Sequence, residues 1–321
     1  MKRALLTCGV AAALSIAATH AVAAQLPRAG KAPSPHLERH PTVALTFDDL
    51  PAAGELPGDE TRAAILGRLA GELKAAHLEG TYGFVNAVDL DDDPDAQQAL
   101  RDWVQAGMNI GNHTWSHPAL SSVTAEAFES DIAGDEPALR QYAEGRDWHW
   151  FRYPDLEEGD TLAKRDHVRA WLRDRGYRIA EVTLNFQDDD WSDPYNRCSA
   201  KNDAAAITWL KQSYLANAAE FIRLGREEEQ IAFGREIPNV LLLHATDFTT
   251  LMLPSLLDLL HTEGFRFASL AKVEQNHAFS LDPHAGLADG GPLPNLYLNS
   301  RHLKYPPFQP EPVEKLDSMC R

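Results

Sequence analysis

Between residues 41 and 272 the chain alternates short apolar runs with longer stretches of helical periodicity, and this alternation constrains the fold more than any other feature. Three of the helical stretches end at a glycine that directly precedes the next apolar run, namely Gly107, Gly176 and Gly264, as helix C-caps commonly do. Repeated strand-then-helix units predict a parallel sheet with helical crossovers. Seven such strands favour a closed or nearly closed, distorted (β/α) barrel, with an open sheet as the alternative.

Two regions interrupt this alternation of predicted elements. The strands are predicted at Thr42–Phe47, Thr81–Asn86, Met108–Gly111, Trp148–Tyr153, Tyr177–Leu184, Asn239–His244 and Phe265–Leu270. The main helices are predicted at Thr61–His77, Asp95–Ala106, Ala125–Tyr142, Thr161–Arg175 and Ser255–Thr262. The first interruption, Lys201–Gly234, is rich in Ala and charged residues and is predicted to be a helical insertion. The second, the Pro-rich extension 276–321, is predicted to be an extended strap or partly disordered.

The start of the chain has the pattern of an export signal. Lys2 and Arg3 precede the apolar run Leu5–Ala18, and Ala21-Val22-Ala23 supplies the small residues of a cleavage site. We therefore expect residues 1–24 to be a signal peptide, 25–40 a linker, and 41–275 the main domain, which includes the insertion 201–234. The mature protein is expected in the periplasm, the cell envelope or the extracellular space of a bacterium. No later segment has the length and hydrophobicity of a transmembrane helix.

The net charge excludes one class of partner, and the cysteine content bears on whether the chain contains a disulfide. The formal net charge of −17 repels phosphate backbones, so nucleic acid is not expected as a partner. Cleavage of the signal would leave Cys198 and Cys320 as the two cysteines. In an oxidising compartment we expect a disulfide between them, with two free thiols as the alternative.

Polar clusters follow four of the predicted strands, at or directly after the strand end. They are Asp48 and Asp49; His113 and His117; Arg152; and His244. The carboxyl ends of the strands of a (β/α) barrel meet at one mouth, where the active site is built. Segments nearly 200 residues apart are therefore predicted to point these polar groups at a single site.

Two histidines and a carboxylate are a common ligand set for a catalytic zinc ion. His113 and His117 are four residues apart, so one helical turn or a tight loop can present both side chains to one ion. Spacing alone is a weak signal, because His36 and His40 have it too and lie in the linker without a preceding strand. Two structural histidines are the alternative interpretation for the first pair.

Adjacent aspartates after a strand are ambiguous in isolation, since Asp often caps a turn or a helix. Asp48 and Asp49 gain significance from their setting, because metal-assisted hydrolysis uses one carboxylate on the ion and another that accepts a proton from water.

Taken in chain order, these residues resemble the polysaccharide deacetylases, which are carbohydrate esterase family four and contain the NodB homology domain. The resemblance rests on Thr46-Phe47-Asp48-Asp49, His113-Thr114-Trp115-Ser116-His117, Arg152-Tyr153-Pro154, Asp190-Trp191 and Leu242-Leu243-His244, and it extends over roughly Pro41–Lys272. It implies a NodB-like distorted (β/α) barrel and the removal of an acetyl group from a sugar.

The resemblance also implies a role for each matching residue. Asp49, His113 and His117 would hold one divalent metal ion, usually zinc in this family. Asp48 would be the general base that activates the metal-bound water, and His244 the general acid. Arg152 would neutralise and orient Asp48, and Asp190 would orient His244. Trp191 and Leu242 would form the acetyl pocket, and a backbone N–H near Pro154 would help to bind the oxyanion.

The sequence departs from the family pattern in three places. Asp155 stands where the family usually has an aromatic residue after the proline, and Gln187 where it usually has an aspartate. Because Asp188, Asp189 and Asp190 are consecutive, Asp188 is the alternative to Asp190 as the partner of His244. Finally, the insertion and the C-terminal extension are candidates for covering the mouth of the barrel.

Three hypotheses for function follow. The first is deacetylation of an acetylated glycan, such as peptidoglycan, a chitin-type oligomer or an exopolysaccharide. The second keeps the fold and the ion but hydrolyses a small amide or imide. The third is a carbohydrate-binding relative that has lost catalysis, which the presence of both Asp48 and His244 disfavours.

Overall fold

The computed structural model describes residues 40–54, 56–58, 60–285, 290–308 and 313–321. The predicted signal peptide 1–24 and nearly all of the linker 25–40, including His36, lie outside the described residues. Within the described part of the chain, no helix is both long enough and apolar enough to span a bilayer.

The chain forms seven strands and eleven α-helices over its described residues. The strands are β1 (Thr42–Leu50), β2 (Tyr82–Val85), β3 (Asn109–Asn112), β4 (Trp150–Phe151), β5 (Arg178–Ile179), β6 (Asn239–His244) and β7 (Arg266–Phe267). The helices are α1 (Arg62–Ala75), α2 (Pro94–Gln105), α3 (Ala125–Tyr142), α4 (Leu162–Asp174), α5 (Ser192–Ala200), α6 (Ala204–Phe233), α7 (Asp247–Thr262), α8 (Leu270–Val273), α9 (His277–Ser280), α10 (Leu293–Ser300) and α11 (Val313–Ser318). Short 3₁₀ turns occupy Ala87–Leu90, Leu120–Ser122, Pro154–Leu156 and Asp188–Trp191.

All strand pairings are parallel, which confirms the predicted sheet type. The strand order is β5-β4-β3-β2-β1-β6, and β7 pairs with β1. The segment after β5 then returns to β6, where Leu184 forms a parallel bridge with Leu241 and accepts a hydrogen bond of 3.0 Å from Leu242 N–H. The sheet therefore curls into the distorted (β/α) barrel predicted from the sequence.

The two faces of the sheet bury different apolar clusters, because successive side chains of a strand point to opposite sides. On β1, Val43, Leu45 and Phe47 pack outward in the large core shared with the helices. Ala44 instead belongs to the small inner cluster of the barrel, together with Phe84, Trp150 and Val240. By the same alternation, the interior face of β1 continues from Ala44 to Thr46 and Asp48, and that of β6 ends at His244. The interior positions at the carboxyl ends of both strands are therefore polar. The barrel interior is thus apolar at its base and polar at its mouth.

The structure differs from the predicted elements where local signals compete with burial. Three predicted strands shrink to the two-residue strands β4, β5 and β7. Helix α7 begins at Asp247, not at Ser255, and continues through Pro254. Proline usually marks a helix start because it lacks an N–H. Here the Thr246 side chain caps the earlier start by accepting a hydrogen bond of 3.0 Å from Thr249 N–H.

The described part of the C-terminal extension contains the short helices α9, α10 and α11, which were not predicted, joined by segments without regular structure. Helix α10 buries Leu293, Tyr297 and Leu298 completely or nearly so. Leu293 N–H donates to the carbonyl of Val182, at 2.7 Å, and the helix packs on α6 next to Ala232. Tertiary burial, which the Pro-rich composition does not show, therefore orders this segment.

Cys198 and Cys320 form the predicted disulfide. Their Cα atoms lie 5.2 Å apart, within the range that a disulfide spans. The neighbouring Arg197 donates hydrogen bonds to the carbonyls of Leu316 and Met319, both at 3.1 Å. The last helix is consequently attached to α5 covalently and by hydrogen bonds.

Candidate metal centre and active site

Two consecutive aspartates at the end of β1 both belong to the site, although strand alternation alone would separate them. The register between β1 and β2 shifts between Phe47 and Leu50, and Asp49 has a left-handed backbone with φ of 59°. Such an irregularity redirects a side chain. Asp48 is almost completely buried, whereas 32% of the Asp49 side chain remains exposed.

Asp49, His113 and His117 lie together in the geometry of a metal site. Asp49 Oδ1 is 3.4 Å from His113 Nε2 and 3.5 Å from His117 Nε2, and the three atoms lie within 4.8 Å of one another. Asp49 Oδ1 is a buried oxygen without a hydrogen-bond partner among the described residues. His113 Nδ1 is 2.8 Å from the carbonyl of Arg152, which directs Nε2 toward Asp49. The residues present therefore fit a divalent cation with two nitrogen ligands and one oxygen ligand.

The charges of this group also suit a cation. Burial alone would raise the pKa of Asp49, but the interactions with His113, His244 and His117 outweigh burial and lower the pKa below its ordinary value. Burial and the charge of His113 lower the pKa of His117. Burial alone would lower the pKa of His113, but the charges of Asp48 and Asp49 raise it. The site thus favours an ionised carboxylate at Asp49 and a neutral imidazole at His117.

A tight loop, not a helical turn, presents the two histidines. Thr114 and His117 have φ of 69° and 55°. The Thr114 hydroxyl accepts a hydrogen bond of 3.0 Å from His117 N–H, and Thr114 N–H donates to Asn112 Oδ1 at 2.8 Å. Asn86, at the end of β2, donates to the carbonyls of His113 at 2.8 Å and Thr114 at 3.0 Å. The sequence analysis missed this role of Asn86, although its position after a strand was a signal for it.

Asp48 and Arg152 form a buried ion pair. One guanidinium nitrogen, Nη1, lies 3.0 Å from both carboxylate oxygens of Asp48. The other groups of Arg152 donate to the carbonyl of Ala180 at 2.7 Å and the hydroxyl of Thr46 at 3.1 Å, and the guanidinium lies over the ring of Phe84. These contacts fix the arginine, so the carboxylate of Asp48 is held in one orientation beside the metal group. The sequence analysis did not assign this role to Thr46.

His244 lies directly opposite Asp48 in the pairing of β6 with β1. Its Nδ1 is 2.8 Å from Asp188 Oδ1, and Asp188 Oδ2 accepts hydrogen bonds from His244 N–H at 3.0 Å and the Thr249 hydroxyl at 2.6 Å. Burial alone would lower the pKa of His244, but the charge and the hydrogen bond of Asp188 outweigh burial and raise it well above its ordinary value. His244 therefore favours its protonated form more strongly than an ordinary histidine does.

The partner of His244 is thus Asp188, and the choice of Asp190 is wrong for this contact. Gln187 has a left-handed backbone, with φ of 56°, and starts the 3₁₀ turn Asp188–Trp191. This turn directs the buried Asp188 to His244 and leaves Asp190 half-buried. Burial and the charges of Asp189 and Asp188 raise the pKa of Asp190 to about 6.

The three predicted pocket residues are buried near these motifs. Trp191 ends the same 3₁₀ turn and donates to the Ser213 hydroxyl on α6 at 2.8 Å. Leu242 pairs with Thr46 across β6 and β1, two residues before His244. Pro154 begins the 3₁₀ turn that follows Arg152. Their contacts fix the turns and strands that carry the reactive side chains.

An open cavity of about 310 Å³ borders the metal group on the side of β2 and α1. Asp49 and His117 line it, together with Arg62, Asn86 and Asp89. Because about a third of each of the Asp49 and His117 side chains is exposed, the insertion and the C-terminal extension do not cover the metal group in the described part of the structure.

The family model described as polysaccharide deacetylase matches residues 38–180. A chitin deacetylase of Arthroderma benhamiae is 26% identical over 153 residues, which are 48% of this chain and 36% of that protein. The structure of the chitin deacetylase from Colletotrichum lindemuthianum matches with a TM-score of 0.50 at 19% identity, over 73% of this chain and 88% of that chain. This structural likeness supports the barrel fold. The chain spans about a third of the length of the Arthroderma benhamiae protein.

Proposed function

We propose that the chain, whose residues 38–180 match the family model of the polysaccharide deacetylases, is a metal-dependent hydrolase that removes acetyl groups from an acetylated polysaccharide or oligosaccharide. The observation that carries the proposal is the placement of Asp48 and His244 opposite each other in the β1–β6 pairing, next to the group Asp49, His113 and His117. A carboxylate base, an imidazolium acid and a ligand set for a cation are the groups that hydrolysis of an acetyl amide or ester requires.

Asp49, His113 and His117 would hold the ion, for which we propose Zn²⁺ on the basis of the nitrogen-rich ligand set. When bound, the ion supplies a Lewis acid that polarises the acetyl carbonyl and lowers the pKa of water. The carbonyl of Arg152 keeps His113 in the orientation that this binding needs.

Asp48 would accept a proton from the attacking water, whose oxygen forms the new bond to the acetyl carbon. Arg152 holds the carboxylate in place during this step. His244 would then donate its proton to the sugar nitrogen or oxygen as the bond from that atom to the acetyl carbon breaks, and acetate is released. A backbone N–H near Pro154 would stabilise the negative charge on the carbonyl oxygen, and Trp191 and Leu242 would limit the space for the acetyl methyl group.

The partner would be an acetylated glycan, such as peptidoglycan, a chitin-type oligomer or an exopolysaccharide, and not nucleic acid. The signal pattern at residues 1–24 supports export to the periplasm, the cell envelope or the extracellular space.

The hydrogen bond that Asp188 accepts from His244 Nδ1 predicts a shift in the pH profile of Asp188→Asn. A general acid must be protonated, so activity falls as pH rises through the pKa of His244. Because Asp188 raises that pKa, its removal should move the high-pH limb of kcat/KM to lower pH, by about one unit or more. Asp190→Asn is the matched control and should leave the limb in place. A limb that moves in the control and not in Asp188→Asn would refute the assignment.

The proposed activity is tested by acetate release from a panel of acetylated glycans. We expect purified protein loaded with one equivalent of Zn²⁺ to release acetate from at least one acetylated polymer or oligomer. Turnover of small amides or imides without any release from the glycans would instead favour the second hypothesis. No release from either set would contradict hydrolysis altogether and favour a binding protein.

A further inference from the structure

A second cavity, of about 270 Å³, lies between α6, α10 and the turns that follow β4 and β5. Its walls come largely from the insertion and the C-terminal extension, both of which lie outside the residues matched by the family model. The volume is close to the lower end of the range of ligand pockets, ~300–1,000 Å³. It therefore suits one sugar ring better than a long polymer segment.

Close packing of the insertion against the barrel creates this cavity. Gly225 on α6 lies so near the segment after β5 that a Cβ atom there would collide with the side chain of Leu184. Gly290 has a left-handed backbone and lies against Asp155 and Leu156 in the same close manner. The first contact joins the insertion to the segment before Gln187, and the second joins the C-terminal extension to the turn that follows Arg152.

Glu228 on α6 lines the cavity and is unusual in its surroundings. Only 4% of the residue is exposed, and Oε1 has no hydrogen-bond partner among the described residues. Burial raises the pKa of its carboxyl group to about 7. A buried carboxyl group without a partner costs free energy, and a ligand that supplies hydrogen-bond donors would reduce that cost.

Asn295 lines the same cavity from α10, and its Oδ1 atom is also buried without a partner in the described part of the chain. Phe221 and Leu224 add apolar surface on the α6 side. Two acceptors with unmet hydrogen-bonding capacity, combined with apolar side chains, match a pyranose ring, which has hydroxyl or amino donors at its edge and C–H groups on its faces.

The cavity is adjacent to the reactive groups along the chain. Asp155 and Leu156 directly follow the Arg152-Tyr153-Pro154 motif, and Gln187 directly precedes Asp188. The charge of Asp155 also affects the pKa of His117, after the larger effects of burial, His113 and Asp49. The cavity therefore adjoins the loops that carry Arg152 and Asp188 of the candidate active site.

We propose that this cavity, bounded by Glu228 and Asn295, is a subsite for a neighbouring sugar unit of the substrate, which donates hydrogen bonds from its hydroxyl or amino groups. The inference rests on the proposed glycan deacetylase function and names a part of the substrate that the metal group does not contact. It assigns a role in substrate recognition to the insertion and the C-terminal extension.

The test uses Glu228→Gln and Asn295→Ala in the full-length, Zn²⁺-loaded protein. The probes are tetra-N-acetylchitotetraose and its fully deacetylated form, with binding measured by calorimetry, and 4-nitrophenyl acetate, whose hydrolysis does not need a second sugar. We expect each variant to bind at least one tetramer about three- to ten-fold more weakly, the worth of one hydrogen bond. Metal content and kcat/KM for 4-nitrophenyl acetate should stay unchanged, which shows that the variants are folded.

Glu227→Gln is the matched control, because it makes the same chemical change at an exposed neighbour on α6 that pairs with Arg223. It should bind both tetramers like the unmodified protein. Weaker binding of both tetramers by Glu228→Gln supports hydroxyl donors, and weaker binding of the deacetylated tetramer alone supports an ammonium group as the donor.

Unchanged affinity for both tetramers in Glu228→Gln and Asn295→Ala would overturn the subsite, as would a failure of the unmodified protein to bind either one. A different result would reject the proposed function while retaining the subsite. Binding of a tetramer that depends on Glu228, without acetate release from any acetylated substrate, would retain the subsite and reject the deacetylase.

Discussion

His113→Ala is expected to lose both bound metal and acetate release. His113 is buried, and its Nε2 atom faces Asp49 Oδ1 at 3.4 Å while Nδ1 is held by the carbonyl of Arg152. Removal of the ring leaves two of the three ligands, and His117 and Asp49 are each about one-third exposed. Metal content measured by elemental analysis after dialysis should fall from one equivalent to near zero, with activity falling in parallel.

His261→Ala is the control for this experiment, because His261 is an exposed histidine in the last turn of α7, remote in sequence from the site motifs. It should keep one equivalent of metal and full activity. Stoichiometric metal in His113→Ala would refute the assignment of this ligand.

Asp48→Asn is expected to keep the metal and to lose at least ~100-fold in kcat, the usual contribution of a general base. The amide is nearly the same size as the carboxylate and retains an oxygen that accepts a hydrogen bond from Arg152. It cannot accept the proton from water. The measurement is kcat for acetate release, together with metal content and a thermal unfolding curve, since the change leaves the charge of the buried Arg152 without a counterion.

The matched control is Asp174→Asn, at a largely exposed position at the end of α4. It should have the activity and metal content of the unmodified protein. If Asp48→Asn retained most of its activity while still folded and loaded with metal, another group would have to be the base.

The convergence of polar strand ends was the part of the site that sequence could predict. Asp48, His113 and His244 are far apart in the chain, but each follows an apolar run, and parallel strands bring their carboxyl ends to one edge. The left-handed conformation of Asp49 was not evident, because nothing in an Asp-Asp pair shows which residue breaks the alternation of the strand.

The choice between Asp188 and Asp190 was not decidable from the sequence for a related reason. Three consecutive aspartates have no periodicity that would distinguish them. The left-handed backbone at Gln187 decides which of the aspartates in the following turn points to His244. Once that conformation is fixed, only Asp188 is both fully buried and within hydrogen-bond distance of His244 Nδ1. Tertiary structure, not local preference, makes the selection.

The ends of elements and the C-terminal extension were the least predictable parts of the fold. Pro254 gave a local signal for a helix start, yet α7 continues through it with Phe248, Leu253 and Leu256 buried. The extension has a Pro-rich composition typical of extended chain, but α10 within it packs Leu293 and Tyr297 against Ala232 of α6. In both cases the burial of apolar side chains against distant residues outweighs the local sequence preference.

Acetate release by the metal-free protein, titrated with Zn²⁺, tests whether hydrolysis depends on one bound ion. We predict no release without metal, a linear rise as Zn²⁺ is added, and a plateau at one equivalent per chain. Full release by protein that elemental analysis shows to be free of metal, or no release from any acetylated glycan at one bound equivalent, would contradict it.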